Sequence, residues 1–407
     1  MGVKKLLDFL RKKFPETIEK THLSEFAFKK ISVDTSCFMY RCKIIYNKPE
    51  KGPNYWLTGF INLVSMLRAN EVHPTFIFDS KASSAKDSEK KQRKDNRDKQ
   101  DQKIFDLEDA VFKFNETGEV EPILIEFQKK NKIQGSLLRE KTTGISINIK
   151  AIEYKLGNMK RQIIDITPQD YKDVKTLLEH LDIPWFQAPE EAETLCSDLC
   201  KQGKVDAVLS TDTDVLAYAC PIFIRLDNMY NPTCERILYK NVIELMGLTD
   251  AEFLDFCIMC KVDYNENIPG IGSVKAYALI KKYSTIEKVG EIHDIECLKH
   301  EVCRDQFLNY KRSDAIVPYV GTPNFEDVKK FISEKKIFVD FNKLEETFVK
   351  NPTIIFEEDE DVESVEDVES VEDVESVVDV ESVEDVESVV DVSDTEDKKE
   401  NRDKEKR

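Results

Sequence analysis

The sequence predicts an α/β fold in which a mostly parallel central sheet is flanked by helices. Short apolar runs typical of buried strands recur along the chain, and amphipathic helical patterns separate most of them. Because a helix is the usual connection between two parallel strands, this alternation favours parallel pairing. A third observation concerns the site: three of the apolar runs end in aspartate, which predicts a cluster of acids at one edge of the sheet.

Residues 1–79 are predicted to form helix, strand, helix and strand. The first helix has its apolar face within residues 6–10, and the second covers 56–67. The strands correspond to the apolar runs 30–33 and 75–78.

A polar, charge-rich and helix-permissive stretch follows, from residue 80 to 165. Its weak apolar stripe consists of Phe105, Leu107, Val111 and Phe112. The α/β alternation then resumes and becomes mainly helical after residue 241. The elements predicted there are helix 169–181, strand 183–185, helix 192–202 and strands 206–210, 222–225 and 235–239. The regions that we predict are 1–104, the insertion 105–164, 165–350 and the tail 351–407.

The tail is an acidic repeat. The hexad that begins at Asp361 recurs through about Asp391, and its period is no multiple of the helical repeat of about 3.6 residues. From Glu357 to the end there are 24 acidic and 6 basic residues, which is nearly all of the net charge of −19. We predict that the tail is disordered and that the rest of the chain is close to neutral.

Composition excludes some classes of protein. No apolar run of about 18 residues occurs, so no membrane-spanning helix is predicted. The ten cysteines are scattered, which is typical of a reducing compartment. Cys257 and Cys260 form a CxxC pair in apolar helical sequence, and no second pair or histidine cluster completes a zinc site. We interpret this pair as core packing.

The acids that end strands define the candidate site. Asp34, Asp79 and Asp212 each follow an apolar run, and Asp214 lies two residues beyond the last of them. Ligands bind beyond the carboxyl ends of parallel strands, so these side chains are expected to meet in one crevice. A hard cation such as Mg²⁺ relieves the repulsion among them. The usual chemistry of such a site is phosphoryl transfer by a metal pair.

A second acidic cluster lies at a predicted helix N-terminus, where negative charge is favoured with or without a metal. It contains Glu190, Glu191 and Glu193. Spacing alone pairs Glu190 with Glu193, because residues three apart share a helix face.

A glycine turn opens another predicted helix. Asp263 precedes the Gly270-Ile271-Gly272 segment, and Lys275 lies in the helix that follows. Backbone amides at such a turn are suited to hydrogen-bond to a phosphate. On its own this signal is weak.

Six motifs occur in the order and approximate spacing of a known family. They are Met1–Leu6, Val33–Thr35, Phe78–Asp79, Ala188–Glu193, Ser210–Asp214 and Asp263–Gly272. On these motifs the chain resembles the flap endonuclease/XPG family from Met1 to about Lys350, with an interruption between roughly residues 105 and 160. The resemblance implies a PIN/5′-nuclease-like α/β fold, a helix–two-turn–helix hairpin and the activity of a structure-specific DNA nuclease.

The resemblance also implies a two-metal site. The expected ligands of one Mg²⁺ are Asp34, Asp79, Glu191 and Glu193. The expected ligands of the other are Asp212, Asp214 and Asp263. The family pattern selects Glu191 with Glu193, and the spacing argument leaves Glu190 as an alternative. Mn²⁺ is expected to substitute for Mg²⁺, and a K⁺ ion is suggested at the hairpin.

Other residues are assigned to DNA by the resemblance. Lys86 and Arg93 match the family's basic pair, seven residues apart on one helix face, and join Asp34 and Asp212 as the expected catalytic residues. Tyr40 is expected to stack on a base near the scissile phosphate. The other expected DNA contacts are Gly2, which needs removal of Met1, and Gly270, Gly272 and Lys275.

The expected partner is branched or flapped DNA, bound by a monomer. The stretch that includes the insertion is longer than in ordinary family members, which leaves threading of a 5′ end open. The tail has no segment of the kind that docks on a sliding clamp, so clamp binding is not expected. Location in the nucleus is implied, or in the host nucleus or cytoplasm for a viral protein.

The predicted function is Mg²⁺-dependent cleavage of DNA at 5′ flaps or related single-strand/double-strand junctions, in replication or repair. A 5′→3′ exonuclease or junction resolvase of the same family is the nearest alternative. A non-catalytic scaffold that binds DNA structures is an alternative from another class, and the presence of all seven acids argues against it. An RNA-cleaving nuclease fits the glycine hairpin less well.

Overall fold

The computed structural model describes residues 2–80, 87–133 and 147–349. Within these ranges the strands are β1 (Ile18–His22), β2 (Lys30–Asp34), β3 (His73–Phe78), β4 (Trp185–Gln187), β5 (Ala207–Leu209), β6 (Ile222–Leu226) and β7 (Thr233–Leu238). The helices are α1 (Leu6–Lys13), α2 (Thr35–Ile45), α3 (Trp56–Ala69), α4 (Asp87–Thr117), α5 (Pro122–Lys130), α6 (Ile149–Gln162), α7 (Pro168–His180), α8 (Ala192–Lys201), α9 (Asp214–Ala217), α10 (Tyr239–Met246), α11 (Asp250–Cys260), α12 (Ser273–Tyr283), α13 (Ile286–Val289), α14 (His300–Leu308), α15 (Phe325–Lys335) and α16 (Phe341–Val349).

The strands form one sheet in the order β1-β7-β6-β5-β2-β3-β4. Five neighbouring strands, in the sheet order β4-β3-β2-β5-β6, pair in parallel. Ser32 of β2 lies opposite Thr75 of β3 on one side and Val208 of β5 on the other. β7 pairs antiparallel with β6, and β1 antiparallel with β7. The predicted mostly parallel sheet is therefore confirmed. Strand β1 was missed because Ile18–His22 is mostly polar and none of it is buried, whereas apolar runs mark strands covered on both faces.

Apolar side chains cover both faces of the sheet. Phe76 and Phe78 of β3 lie in a core with α2, α3 and α7, while Ile77 lies in a core with α1, α8 and α11. Successive strand residues point to opposite faces, so one strand contributes to both cores. Because the strands are covered on both faces, they occur in the sequence as apolar runs.

The insertion packs around a small apolar cluster of its own. Helices α4, α5 and α6 contribute to it, with Ile104 and Leu107 of α4 buried. Phe105 and Phe112, which the predicted stripe included, are instead exposed, because one residue of offset turns a side chain by about 100° around a helix. Helix α4 also runs continuously through the predicted boundary at 104/105.

The remaining sequence predictions concern the cysteine pair, membrane-spanning helices, the tail and Lys86. Cys257 and Cys260 are buried in α11, as expected of core packing. No helix in the described ranges is long and apolar enough to cross a membrane. The tail, predicted to be disordered, and Lys86 lie outside the described residues.

Candidate active site

Three aspartates follow the carboxyl ends of three adjacent parallel strands. Asp34 ends β2, Asp79 directly follows β3, and Asp212 lies three residues beyond β5. Since β2 is hydrogen-bonded to both β3 and β5, these acids lie at the same edge of the sheet. The structure thus brings together the acids that the strand-end argument selected.

Asp34 is the most enclosed of the three. It is 3% exposed, and its carboxylate accepts hydrogen bonds from the Ser210 hydroxyl at 2.9 Å and from the Cys37 backbone N–H, in the first turn of α2. Burial raises the pKa of Asp34 to about 7, and the negative charges of Asp79 and Asp212 act in the same direction. The site therefore carries a surplus of negative charge that a cation would relieve.

Asp79 connects this edge to the second acidic cluster. Its Oδ1 accepts the N–H of Ala192, the first residue of α8, at 2.7 Å. Glu191 and Glu193 are buried beside it, at 6% and 7% exposure, whereas Glu190 is exposed. The helix begins only at Ala192, after an extended Glu191, so Glu190 lies outside it and the rule that pairs residues three apart on a helix does not apply to Glu190. The alternative Glu190 therefore loses its support from spacing.

Asp263 is the expected ligand that lies in the mainly helical part of the chain. It lies in the connection between α11 and α12, and its Oδ2 forms an ion pair of 3.1 Å with Nη2 of Arg93 on α4. Its neighbour Tyr264 donates a hydrogen bond of 2.8 Å to Oε2 of Glu191. These two contacts connect helix α4, the α11–α12 connection and the start of α8 to one another.

Gly2 lies directly against the Asp212–Asp214 turn. In that turn the Asp214 N–H donates to Asp212 Oδ1 at 2.9 Å. A Cβ built on Gly2 would lie 2.1 Å from the same oxygen and 2.7 Å from the Thr213 backbone nitrogen. Gly2 also has φ of +79°, a conformation that favours glycine. Gly2 therefore lies beside this acidic turn, and its contact with DNA stays a prediction.

The donor set fits a hard divalent ion in chemistry, because all seven expected ligands are carboxylates. In the described residues, however, no group of three or more Asp, Glu, His or Cys side chains lies ready to hold one ion. Three of these acids accept hydrogen bonds from protein groups: Asp34 from Ser210, Asp79 from Ala192 and Glu191 from Tyr264.

The other expected DNA contacts lie on α2, at the turn that precedes α12 and in the first turn of α12. Tyr40 of α2 is 44% exposed. At the hairpin, Gly270 has φ of +75° and Gly272 is the N-cap of α12, while Lys275 Nζ donates to the Gly270 carbonyl at 2.9 Å. Lys275 therefore also stabilises the turn that it follows.

Sequence reasoning missed two residues that hold acids of the site. Ser210 donates to Asp34, and Tyr264 donates to Glu191. Ser210 and Tyr264 gave no signal beyond adjacency to acidic motifs, since their partners are distant in sequence.

Comparison with known proteins identifies the family. The XPG N-terminal domain matches residues 1–100, and the XPG I-region matches residues 182–263. The probable RAD2-like endonuclease 369L of Invertebrate iridescent virus 6 is 31% identical over 353 residues, covering 82% of this chain and 84% of the viral protein. The chain belongs to the flap endonuclease/XPG family of structure-specific DNA nucleases.

Two further comparisons agree with this family assignment. Flap endonuclease 1 of Tetrahymena thermophila is 28% identical over 368 residues, covering 83% of this chain and 85% of that protein. The solved catalytic core of Rad2 in complex with a DNA substrate shares the fold, with a TM-score of 0.60 and 17% identity over 86% of this chain and all of that one. The two XPG segments contain all seven expected ligands and leave out the insertion 105–164.

Alanine at position 2 is expected to lower cleavage roughly 10–100-fold, because the new Cβ displaces the Asp212 carboxylate. The measurement is the single-turnover rate on a labelled flap DNA, together with the melting temperature. Gly203→Ala is the matched control: Gly203 has φ of +68°, but a Cβ built there would meet nothing within 4 Å. A Gly2→Ala protein as active as the control contradicts the assigned contact.

Proposed function

We propose that this protein is a Mg²⁺-dependent endonuclease that cleaves branched DNA at 5′ flaps or related single-strand/double-strand junctions. One observation carries the proposal. Acids from separate segments gather at the carboxyl edge of the parallel strands, beside an arginine of helix α4. A negatively charged phosphodiester can bind beside so many acids only when cations and basic side chains offset their charge.

The acids divide into two sets in this proposal. The first, which would hold one ion, is Asp34, Asp79, Glu191 and Glu193. The second, which would hold or position the other ion, is Asp212, Asp214 and Asp263. When bound, the ions supply an activated water and stabilise the leaving oxygen. Metal dependence is general in the family, and the count of two ions belongs to the proposal.

The chain's own side chains bind and orient the DNA. The ion pair of Arg93 with Asp263 supports its proposed contact with the scissile phosphate, and Lys86 is its proposed companion. Tyr40 offers a ring face to an unpaired base. The Gly270–Gly272 turn presents backbone amides to the duplex backbone, and we include a K⁺ ion there in the proposal. Contacts of this kind read shape rather than sequence.

The relatives support a proposal for the place of action. They include a protein of an invertebrate virus and a flap endonuclease of Tetrahymena thermophila. The proposal therefore places the enzyme, as a monomer, on DNA in the nucleus, or in the host nucleus or cytoplasm if the chain is viral.

A panel of labelled DNAs tests the proposal. Flap, nick, gap, blunt and four-way substrates are incubated with Mg²⁺, Mn²⁺ or EDTA, and product lengths are scored. We expect incision near the junction of the flap substrate, with none in EDTA. Ladders from a 5′ end indicate an exonuclease, and paired cuts in the four-way DNA indicate a resolvase. Tight flap binding without cutting in either metal indicates a scaffold and overturns the proposal.

A further inference from the structure

The buried tyrosine that follows Asp263 joins two parts of the candidate site. Tyr264 is 3% exposed, and its hydroxyl donates to Oε2 of Glu191 at 2.8 Å. Glu191 precedes α8, whereas Tyr264 lies in the connection between α11 and α12, and 73 residues separate them in the chain. The hydrogen bond therefore ties an acid of one proposed ion set to the backbone beside an acid of the other.

The surroundings of Tyr264 leave its ring little freedom. Phe307 of α14 packs edge-on against it, with ring centroids 5.7 Å apart, and also against Tyr218, at 4.7 Å. Tyr218 is itself 3% exposed. The Tyr264 ring is therefore held in a buried aromatic group with Phe307 and Tyr218.

The contact is a direct one between a donor and a carboxylate. The Tyr264 O–H faces the buried Glu191 side chain and fixes the orientation of one of its two oxygens.

We propose that Tyr264 is a positioning residue that sets the divalent-ion affinity of the site, by holding Glu191 in one orientation and Asp263 beside it. The inference rests on the proposed function, because it takes Glu191 and Asp263 as ion ligands. Hydrogen-bond partners of metal ligands orient them, and loss of such a partner costs about 10–100-fold in metal affinity or activity.

Tyr264→Phe tests the inference, because it removes one hydroxyl and keeps the ring against Phe307. Mn²⁺ binding to the DNA-free protein, followed by electron paramagnetic resonance, is expected to weaken about 10–100-fold. The Mg²⁺ concentration for half-maximal flap cleavage is expected to rise by a similar factor. Affinity for flap DNA in Ca²⁺ should stay within about twofold, since no DNA contact is removed.

Tyr277→Phe is the matched control. The Tyr277 hydroxyl donates to the Met246 carbonyl at 2.8 Å, away from the acids, so its loss removes a comparable hydrogen bond. We expect a similar change in melting temperature and unchanged Mn²⁺ affinity. If Tyr264→Phe melts like this control and binds Mn²⁺ like the wild type, the inference is overturned. A wild type that binds no Mn²⁺ refutes the proposed function itself, which is a distinct result.

A double variant shows whether Tyr264 acts through Glu191. In a Glu191→Gln background, Tyr264→Phe should weaken Mn²⁺ binding by less than about twofold further, because the acid that it orients is gone. Tyr218→Phe keeps the bond to Glu191 and is expected to have a smaller effect than Tyr264→Phe. Fully multiplicative losses in the double variant contradict the inference.

Discussion

Asp212→Asn is expected to reduce flap cleavage by more than about 100-fold, with DNA binding nearly unchanged. The asparagine side chain has almost the same shape, and its Oδ1 can still accept the Asp214 N–H that Asp212 accepts at 2.9 Å. What is lost is one negative charge at the end of β5, where the proposal places an ion. Single-turnover cleavage in Mg²⁺, and binding of the same flap in Ca²⁺, separate chemistry from affinity.

Asp206→Asn is the control for this variant. Asp206 lies at the opposite end of β5, is exposed, and accepts the Lys30 N–H at 2.9 Å. It has the same chemistry beside the same strand but lies away from the acids, so we expect wild-type cleavage. Undiminished cutting by Asp212→Asn would remove this residue from the metal assignment and would weaken the whole strand-end argument.

The strand-end acids could be predicted because burial leaves a strong mark on sequence. Strands covered on both faces become continuous apolar runs, so the residue at which each run stops is readable. Asp34, Asp79 and Asp212 stand at three such stops, and parallel pairing of β2, β3 and β5 puts them at one edge. Alternation of strands and helices along the chain already favours that parallel pairing, so both steps could be made from the sequence.

The choice between Glu190 and Glu191 could not be made in this way. Spacing on a helix favours Glu190 with Glu193, but the helix begins only at Ala192, so Glu190 lies outside it. The boundary depends on Asp79, whose carboxylate accepts the first N–H of α8 from 113 residues away. A contact of that separation leaves no local pattern, and element boundaries are the least readable feature of a sequence.

The insertion shows a different limit. Its polar composition correctly indicated helix, but Phe105 and Phe112 are exposed while Ile104 and Leu107 are buried. With few apolar residues in a long charged helix, the sequence does not define which face is covered, since that depends on α5 and α6 packing against it. The ion pair that joins helix α4 to Asp263 likewise arises only from tertiary structure.

Glu191→Gln and Glu190→Gln are expected to differ sharply, although the two acids are adjacent. Glu191 is 6% exposed and bonded to Tyr264, so loss of its charge removes a proposed ion ligand, and we expect cleavage to fall by more than about 100-fold. Glu190 is exposed, and its backbone carbonyl accepts the Ser80 N–H, a contact that glutamine retains, so its variant should cleave like the wild type.

The comparison is made at several Mg²⁺ concentrations, because weakened ion binding and a lost catalytic step respond differently. If Glu191→Gln regains its rate at high Mg²⁺, the carboxylate contributes mainly to the affinity for the ion. If the rate stays low at every Mg²⁺ concentration, the carboxylate contributes to the catalytic step. The reverse ranking, with Glu190→Gln inactive and Glu191→Gln active, contradicts the site. It would mean that the first turn of α8 rearranges around the ion, in the way that the spacing of Glu190 and Glu193 on a helix allows.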